Sequence, residues 1–212
     1  MSASHVPAIS FDAATSKYTV INRGNGKSIE TTVTDKASVA DEWVQDIINK
    51  YNNVTDQASS SVVDDNSLLV DDNSLVKLVA VGLDVKCSRH DNNVNPATLQ
   101  LCIDDKCLIL QLLYMDQFPY SLKSFFMDSK FAFVGVNVEN NISMINARYG
   151  LKVKNRIDVT VERMCFHDVA VMLQGKPPSG WMSDWEARIL SLDQVQFACL
   201  DSYVSYLLCA SI

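Results

Sequence analysis

The chain has 212 residues, of which 48% are hydrophobic, so it is long enough to bury the core of one domain with an appendage. Its 25 acidic and 18 basic residues give a net charge of −7, which argues against strong nonspecific binding of nucleic acid. No apolar run approaches the roughly 18 residues of a membrane span, so we expect no membrane contact.

The cysteines and histidines are scattered along the chain. None of the six cysteines forms a Cys-x-x-Cys pair and most lie in apolar runs, which predicts buried, reduced thiols. The three histidines lack metal-ligand spacing, which argues against a zinc site. Residues 1–11 show no secretory signal pattern, so we expect an intracellular protein, cytoplasmic or nuclear.

The first predicted unit is residues 1–54, an N-terminal hairpin and helix packed on the core. Residues 1–16 are predicted to be a loose tail. The β-rich runs 17–21 and 28–34 flank an Asn-Gly pair, which is typical of a β-hairpin.

A helix is predicted to start at Ser38, with Ser38 as its cap and Asp41 as the second member of a partial capping box. Trp43 belongs to an apolar stripe at helical spacing, which predicts that it packs in the core.

An acidic tandem repeat occupies the next segment. Residues 63–69 read Val-Asp-Asp-Asn-Ser-Leu-Leu, and residues 70–76 repeat them with one change. Two copies are too few for a solenoid, so residues 55–76 are predicted to be an inserted loop that is dispensable for folding. The four aspartates of the repeat could bind a cation weakly, but we favour a solvated, charged loop.

The central predicted strand covers residues 79–86, a short apolar run that ends in polar residues. Side chains alternate along a strand, so Asp84 and Lys86 point the same way from its carboxyl end. An acid delivered to a sheet edge is a common way to build a metal site, and a lysine two residues later is an unusual companion for it.

Further strands and helices follow. Runs 97–103 and 106–112 flank an Asp-Asp turn and predict an antiparallel unit with the central strand. A second apolar strand, 131–138, precedes a helix, which predicts its parallel pairing with the first. The helices are predicted at 119–126, 139–149 (closed by Gly150), 159–173 and 193–210, with a loop at 175–180 and a helix start at Ser183 or Ser191.

The order of these elements is that of an α/β ribonuclease H-like fold, with a mixed central sheet flanked by helices. Over residues 77–210 the sequence resembles the 3′–5′ exonucleases of the four-carboxylate (DEDD) superfamily. The resemblance is to the tyrosine type, and in particular to Werner-syndrome exonuclease domains. The matching stretches are Leu-Asp-Val-Lys at 83–86, Ala-Thr-Leu-Gln-Leu-Cys at 97–102, Val-Gly-Val-Asn-Val-Glu at 134–139 and Phe-Ala-Cys-Leu-Asp-Ser-Tyr at 197–203. Residues 77–212 are therefore predicted to be an exonuclease-like domain.

The resemblance implies a two-metal mechanism. Four carboxylates hold two divalent cations, Mg²⁺ or Mn²⁺, of which one activates water and the other stabilises the leaving oxygen. A tyrosine near the third motif orients that water. The partners implied are the 3′ ends of single-stranded DNA or RNA, and small members of this group can form ring-like homo-oligomers.

Three of the implied site positions depart from the family pattern. The first motif, Asp-x-Glu in the family, here begins with Asp84 and ends with Lys86. Asn141 stands at the second-motif aspartate and Phe197 at the tyrosine, while Asp201 is retained. Only Asp84 and Asp201 remain as metal ligands, so we expect cation binding to be weak or absent.

The charge of Lys86 makes these departures more severe. Unit charges about 4 Å apart interact by about 4 kcal/mol at an effective dielectric near 20, so an ammonium beside a cation is strongly unfavourable. Lys86 could instead act as counter-ion to Asp84 and Asp201. The sequence predicts a retained fold with a degenerate site.

Three functional hypotheses stay open at this point. The protein could be an exonuclease with residual activity, or a noncatalytic relative that binds nucleic acid or other copies of itself. Alternatively, the pocket could be reused for different chemistry centred on Lys86 as a base, acid or anion binder.

Overall fold

The structure is a computed structural model that describes residues 8–57, 78–90, 93–159, 176 and 183–210. Within these ranges, four α-helices accompany one mixed sheet of eight strands, which confirms the predicted fold class. The elements are β1 (Ile9–Asp12), β2 (Lys17–Ile21), β3 (Ser28–Thr34), α1 (Ala37–Gln57), β4 (Val79–His90), β5 (Asn93–Ile103), β6 (Lys106–Gln111), α2 (Tyr120–Met127), β7 (Phe131–Gly135), α3 (Val138–Tyr149), β8 (Arg156–Asp158) and α4 (Leu192–Ala210).

The strand order across the sheet is β1-β2-β3-β6-β5-β4-β7-β8. Strands β4, β5 and β6 form an antiparallel unit, while β7 pairs parallel with β4 on its other side. Both pairings confirm the sequence prediction. Strand β4 is therefore central: β7 pairs with its first residues, Val79–Gly82, and β5 pairs with it from Gly82 onward, which includes Asp84 and Lys86.

The N-terminal hairpin continues the main sheet. Strands β2 and β3 pair antiparallel as predicted, and β3 pairs parallel with β6. Side chains from this region, such as Ile29 and Trp43, belong to the same buried apolar cluster as the central strands. The predicted division of the chain at residues 54 and 77 stays a prediction.

The prediction of a loose tail over residues 1–16 is wrong for part of this segment. Residues Ile9–Asp12 form β1, which pairs antiparallel with β2. The strand is short and mostly exposed, so its sequence carries little alternating pattern, and its order comes from pairing with β2 and the contact of Phe11 with Tyr18.

The predicted cap and end of the first helix also need correction. Helix α1 begins at Ala37, whose N–H donates to Oδ1 of the distant Asp116 (3.0 Å). Asp41, the expected partner of Ser38, instead accepts hydrogen bonds from Ser121. The helix continues to Gln57, so the predicted loop begins too early, and the acidic repeat itself lies outside the described residues.

Helix α3 has clear boundaries at both ends. Asn137 adopts the left-handed conformation (φ 55°) immediately before it, so β7 ends at Gly135, three residues before the predicted end. Gly150 ends the helix as predicted, with φ 65° and its N–H donating to the carbonyl of Asn146 (2.8 Å).

Helix α4 begins with a reciprocal cap. The N–H of Gln194 donates to Ser191 Oγ (3.2 Å), and the N–H of Ser191 donates to Gln194 Oε1 (2.8 Å). This confirms Ser191, not Ser183, as the start of the final helix. Apart from Val159 and Lys176, the predicted helix 159–173 and loop 175–180 lie outside the described residues.

The core contains both aromatic side chains and free thiols. Phe125, on α2, makes edge contacts with Phe131 and Phe133 of β7 at ring-centroid distances of 4.6 and 5.3 Å. The cysteines described are free, as predicted: Cys87, Cys102, Cys107 and Cys199.

A close backbone contact fixes α4 against β4. A Cβ atom on Gly82 would lie 1.9 Å from the carbonyl oxygen of Ser202 and 2.8 Å from the backbone nitrogen of Tyr206. Only glycine permits this approach, and it brings the middle of α4 onto the strand that carries Asp84 and Lys86.

We predict that Gly82→Ala lowers the free energy of unfolding by about 3 kcal/mol, because the methyl group meets rigid backbone. The control is Gly26→Ala, where φ is 71° but no atom lies within 4 Å of the new Cβ, so that only backbone strain of about 1 kcal/mol is expected. Urea unfolding measures both. Equal losses would contradict the close packing of α4 on β4.

Candidate active site

Strand β4 supplies the first two site residues. Asp84 and Lys86 lie two positions apart and project from the same face of the sheet. The pairing of β4 with β5 is regular up to Lys86, and its register shifts between Lys86 and Cys87. The site therefore begins where a regular central strand becomes irregular.

Helix α4 supplies Phe197 and Asp201, which are four residues apart and so lie on one helical face. The close contact at Gly82 places this face beside the carboxyl half of β4. Asn141 comes from the first turn of α3 and is 7% exposed, with Asn140 next to it.

The site residues from β4 and α4 form a compact ionic network. The Lys86 Nζ atom lies 2.5 Å from Asp84 Oδ2 and also contacts Asp201 Oδ2. A second ammonium, that of Lys176, contacts Asp201 Oδ1. The side chains of all four residues are less than 20% exposed. The two ammonium charges and the two carboxylate charges of this network sum to zero.

The ionic network changes proton affinities. Burial raises the pKa of Asp84, and although Lys86 opposes this effect, the nearby Asp201 adds to it. Burial alone would lower the pKa of Lys86, but Asp84 and Asp201 outweigh it and raise that pKa to about 12. Lys86 is therefore fully protonated near neutral pH.

Aromatic rings cover the ammonium groups. The Nζ atoms of Lys176 and Lys86 lie 3.9 and 4.8 Å from the centroid of the Phe197 ring. Trp185 lies near both the ring and Lys86, at centroid distances of 6.1 and 6.0 Å. Cation–π attraction of about 0.5–2 kcal/mol for each pair stabilises the ammonium groups here.

The structure brings the predicted site residues together. Lys86, Asn141, Phe197 and Asp201 line one cavity of about 470 Å³, and Asp84 pairs with Lys86 at its wall. The convergence follows from the fold, while the roles of these residues stay predictions.

Lys176 is the site residue that sequence reasoning missed. It lies in the Gly-Lys-Pro-Pro segment, which the sequence presents as an ordinary loop. No spacing or periodicity connects it with Asp201, 25 residues later, and only the three-dimensional contact identifies it.

The residues present do not fit a two-metal site. Mg²⁺ and Mn²⁺ prefer several oxygen ligands, whereas here ammonium groups contact oxygens of both carboxylates, and Asn141, at which the resemblance implies a third acid, carries an uncharged amide. In the described parts of the chain, no group of three or more His, Cys, Asp or Glu side chains could hold a metal ion.

Comparisons place this geometry among known folds. No family model and no curated protein matches the sequence. Among solved structures, the catalytic core of RRP6 from Trypanosoma brucei matches with a TM-score of 0.64 at 12% identity, covering 86% of this chain and 46% of that one. Escherichia coli RNase D, an exoribonuclease involved in structured RNA processing, matches with a TM-score of 0.51 at 19% identity, and the match covers 61% of this chain and 36% of the RNase D chain. The EXO domain of Aedes aegypti Nibbler matches with a TM-score of 0.51 at 13% identity, and the match covers 63% of this chain and 77% of the Nibbler domain.

The chain has the fold of the 3′–5′ exonucleases. This confirms the ribonuclease H-like prediction, while the particular likeness to Werner-type domains stays a prediction. The chain spans less than half the length of the RNase D and RRP6 chains. None of the helices in the described ranges is both long enough and apolar enough to cross a membrane.

We predict that Lys86→Met lowers the free energy of unfolding by about 3–5 kcal/mol at pH 7, because it leaves two buried carboxylates with one ammonium. The control is Lys50→Met, which breaks the half-exposed pair with Asp104 and should cost at most about 1 kcal/mol.

The pH dependence gives a second readout for Lys86→Met. The folded-state pKa of about 12 lies above the ordinary 10.5, so the stabilisation by Lys86 is complete below 10.5 and is lost as pH rises through 12. Urea unfolding should therefore show a constant difference from wild type between pH 7 and 9. A cost no larger than that of Lys50→Met would contradict the ionic network.

Proposed function

We propose that this protein binds single-stranded DNA or RNA at or near 3′ ends and has lost the metal-dependent hydrolysis that the resemblance implies. The observation that carries the proposal is the placement of two ammonium groups on the carboxylates that remain. Lys86 contacts both Asp84 and Asp201, and Lys176 contacts the other oxygen of Asp201.

Binding of a divalent cation would first have to displace these ammonium groups. Each ammonium within about 4 Å of a divalent cation costs about 8 kcal/mol at an effective dielectric of 20, and the missing second-motif carboxylate provides no compensation. Phe197 also lacks the hydroxyl that the resemblance assigns to water orientation. Metal-dependent hydrolysis therefore lacks both its cofactor site and its water-positioning group.

A local basic segment supports nucleic-acid binding despite the overall negative charge. Residues 148–156 contain no acid and carry four exposed basic side chains, of which Arg156 pairs with Glu139 (2.5 Å): Arg148, Lys152, Lys154 and Arg156. Arg148 is one helical turn beyond Met144, which lines the cavity, so helical spacing places both on one side of α3. A phosphate backbone could follow this segment towards the cavity.

The proton affinity of Lys86 argues against a reused catalytic pocket. A lysine acts as a base or nucleophile when its pKa is lowered, whereas the two carboxylates raise the pKa of Lys86 to about 12. Homo-oligomer formation stays a prediction.

We predict that the wild-type protein binds a 5′-labelled single-stranded RNA in EDTA and does not shorten this RNA when Mn²⁺ is added. Fluorescence anisotropy measures binding, and a denaturing gel measures product length. The proposal expects binding to be independent of the metal, because the ammonium groups already neutralise the acids. Mn²⁺-dependent removal of nucleotides by the wild type would contradict the loss of activity.

The matched positive control restores the family pattern. It combines Lys86→Glu, Asn141→Asp, Phe197→Tyr and Lys176→Gln, and it should gain Mn²⁺ binding and some 3′ shortening. The same variant with Lys176 retained should gain less, because that ammonium still contacts Asp201. Added Mn²⁺ should raise the melting temperature of the four-residue variant most, that of the variant with Lys176 retained less, and that of the wild type not at all.

A further inference from the structure

The cavity contains two kinds of polar group. Its charged groups are occupied with one another, since both lysines contact carboxylates and lie against the Phe197 ring. An anion entering the cavity would have to compete with these buried ion pairs. The network as a whole carries no net charge to attract it.

The asparagine side chains of α3, unlike the charged groups, are not paired with one another. Asn140 and Asn141 both line the cavity, and neither side-chain amide makes a hydrogen bond to another described residue. Each amide offers one acceptor oxygen and two donor hydrogens. Asn141 is only 7% exposed and lines the cavity, whereas Asn140 beside it is exposed.

Apolar side chains complete the cavity. Val94 and Met144 line it together with Trp185, which is 5% exposed. The cavity volume of about 470 Å³ falls within the range of about 300–1,000 Å³ that is usual for small-molecule sites. Apolar walls and unoccupied amides suit a flat ring that carries donors and acceptors on its edge.

We infer that the cavity binds an uncharged nucleobase through the side-chain amides of Asn140 and Asn141, and that it does not bind phosphate. This inference rests on the proposed function, because it assigns the cavity to the base at the end of a bound strand. The phosphates of that strand lie on the basic segment 148–156. An amide can pair with an adenine edge through two hydrogen bonds, so adenosine is a suitable probe.

Calorimetry in EDTA, on the full chain, provides the test. Adenosine and adenosine 5′-monophosphate should bind with affinities within about threefold of each other, and inorganic phosphate should not compete. Asn141→Leu should weaken adenosine binding at least about tenfold, the loss expected for one bidentate amide–base pair. Asn140→Leu, at an exposed position, repeats the test if the first variant fails to fold.

Asn146→Leu is the control, because it changes an exposed asparagine of the same helix that does not line the cavity. It should leave adenosine binding unchanged. Monophosphate binding at least tenfold tighter than that of adenosine, with competition by inorganic phosphate, would overturn the inference and identify an anion site.

Anisotropy with labelled single-stranded RNA separates this inference from the proposed function. RNA binding without adenosine binding would overturn the nucleobase assignment alone. Adenosine binding without RNA binding would overturn the proposed function and leave the ligand class of the cavity supported. The absence of both would overturn both proposals.

Discussion

The site depends on the ion pairs that Lys86 makes with Asp84 and Asp201. Two carboxylates from different elements, one on β4 and one on α4, meet in a buried place where they would repel each other without a cation. An ammonium built into the chain supplies that cation, and Lys176 supplies a second. Removing one partner would leave a buried uncompensated charge, which is far more costly than losing a surface pair.

This arrangement is the basis of our proposal that the chain keeps the fold without the metal-dependent hydrolysis that the resemblance implies. The sheet order, the close contact at Gly82 and the buried face of α4 all bring the site residues together, as a ribonuclease H-like fold requires. The charges that meet there cancel within the chain, and so the site has no remaining demand for divalent cations. The remaining lining of the cavity consists of amide and apolar side chains, and our proposal of binding without hydrolysis rests on it.

Sequence patterns predicted the elements whose order comes from local chemistry. Asp84 and Lys86 could be placed on one face because strands alternate, and Gly150 and Ser191 could be recognised as helix ends. The patterns failed where distant contacts decide the outcome. Asp116 caps α1 from another part of the chain, and β1 is ordered by pairing with β2. Lys176 contacts Asp201 from a segment whose sequence has no periodicity, so no sequence signal identified it.

The most direct test is a crystal structure soaked in Mn²⁺, with anomalous scattering data collected at the manganese absorption edge. We predict no anomalous peak between Asp84 and Asp201, and density for the Lys86 ammonium in contact with both carboxylates. A manganese peak within bonding distance of both carboxylates, with Lys86 turned away, would contradict it, because the site would then still bind the cation that its ammonium groups are held to replace.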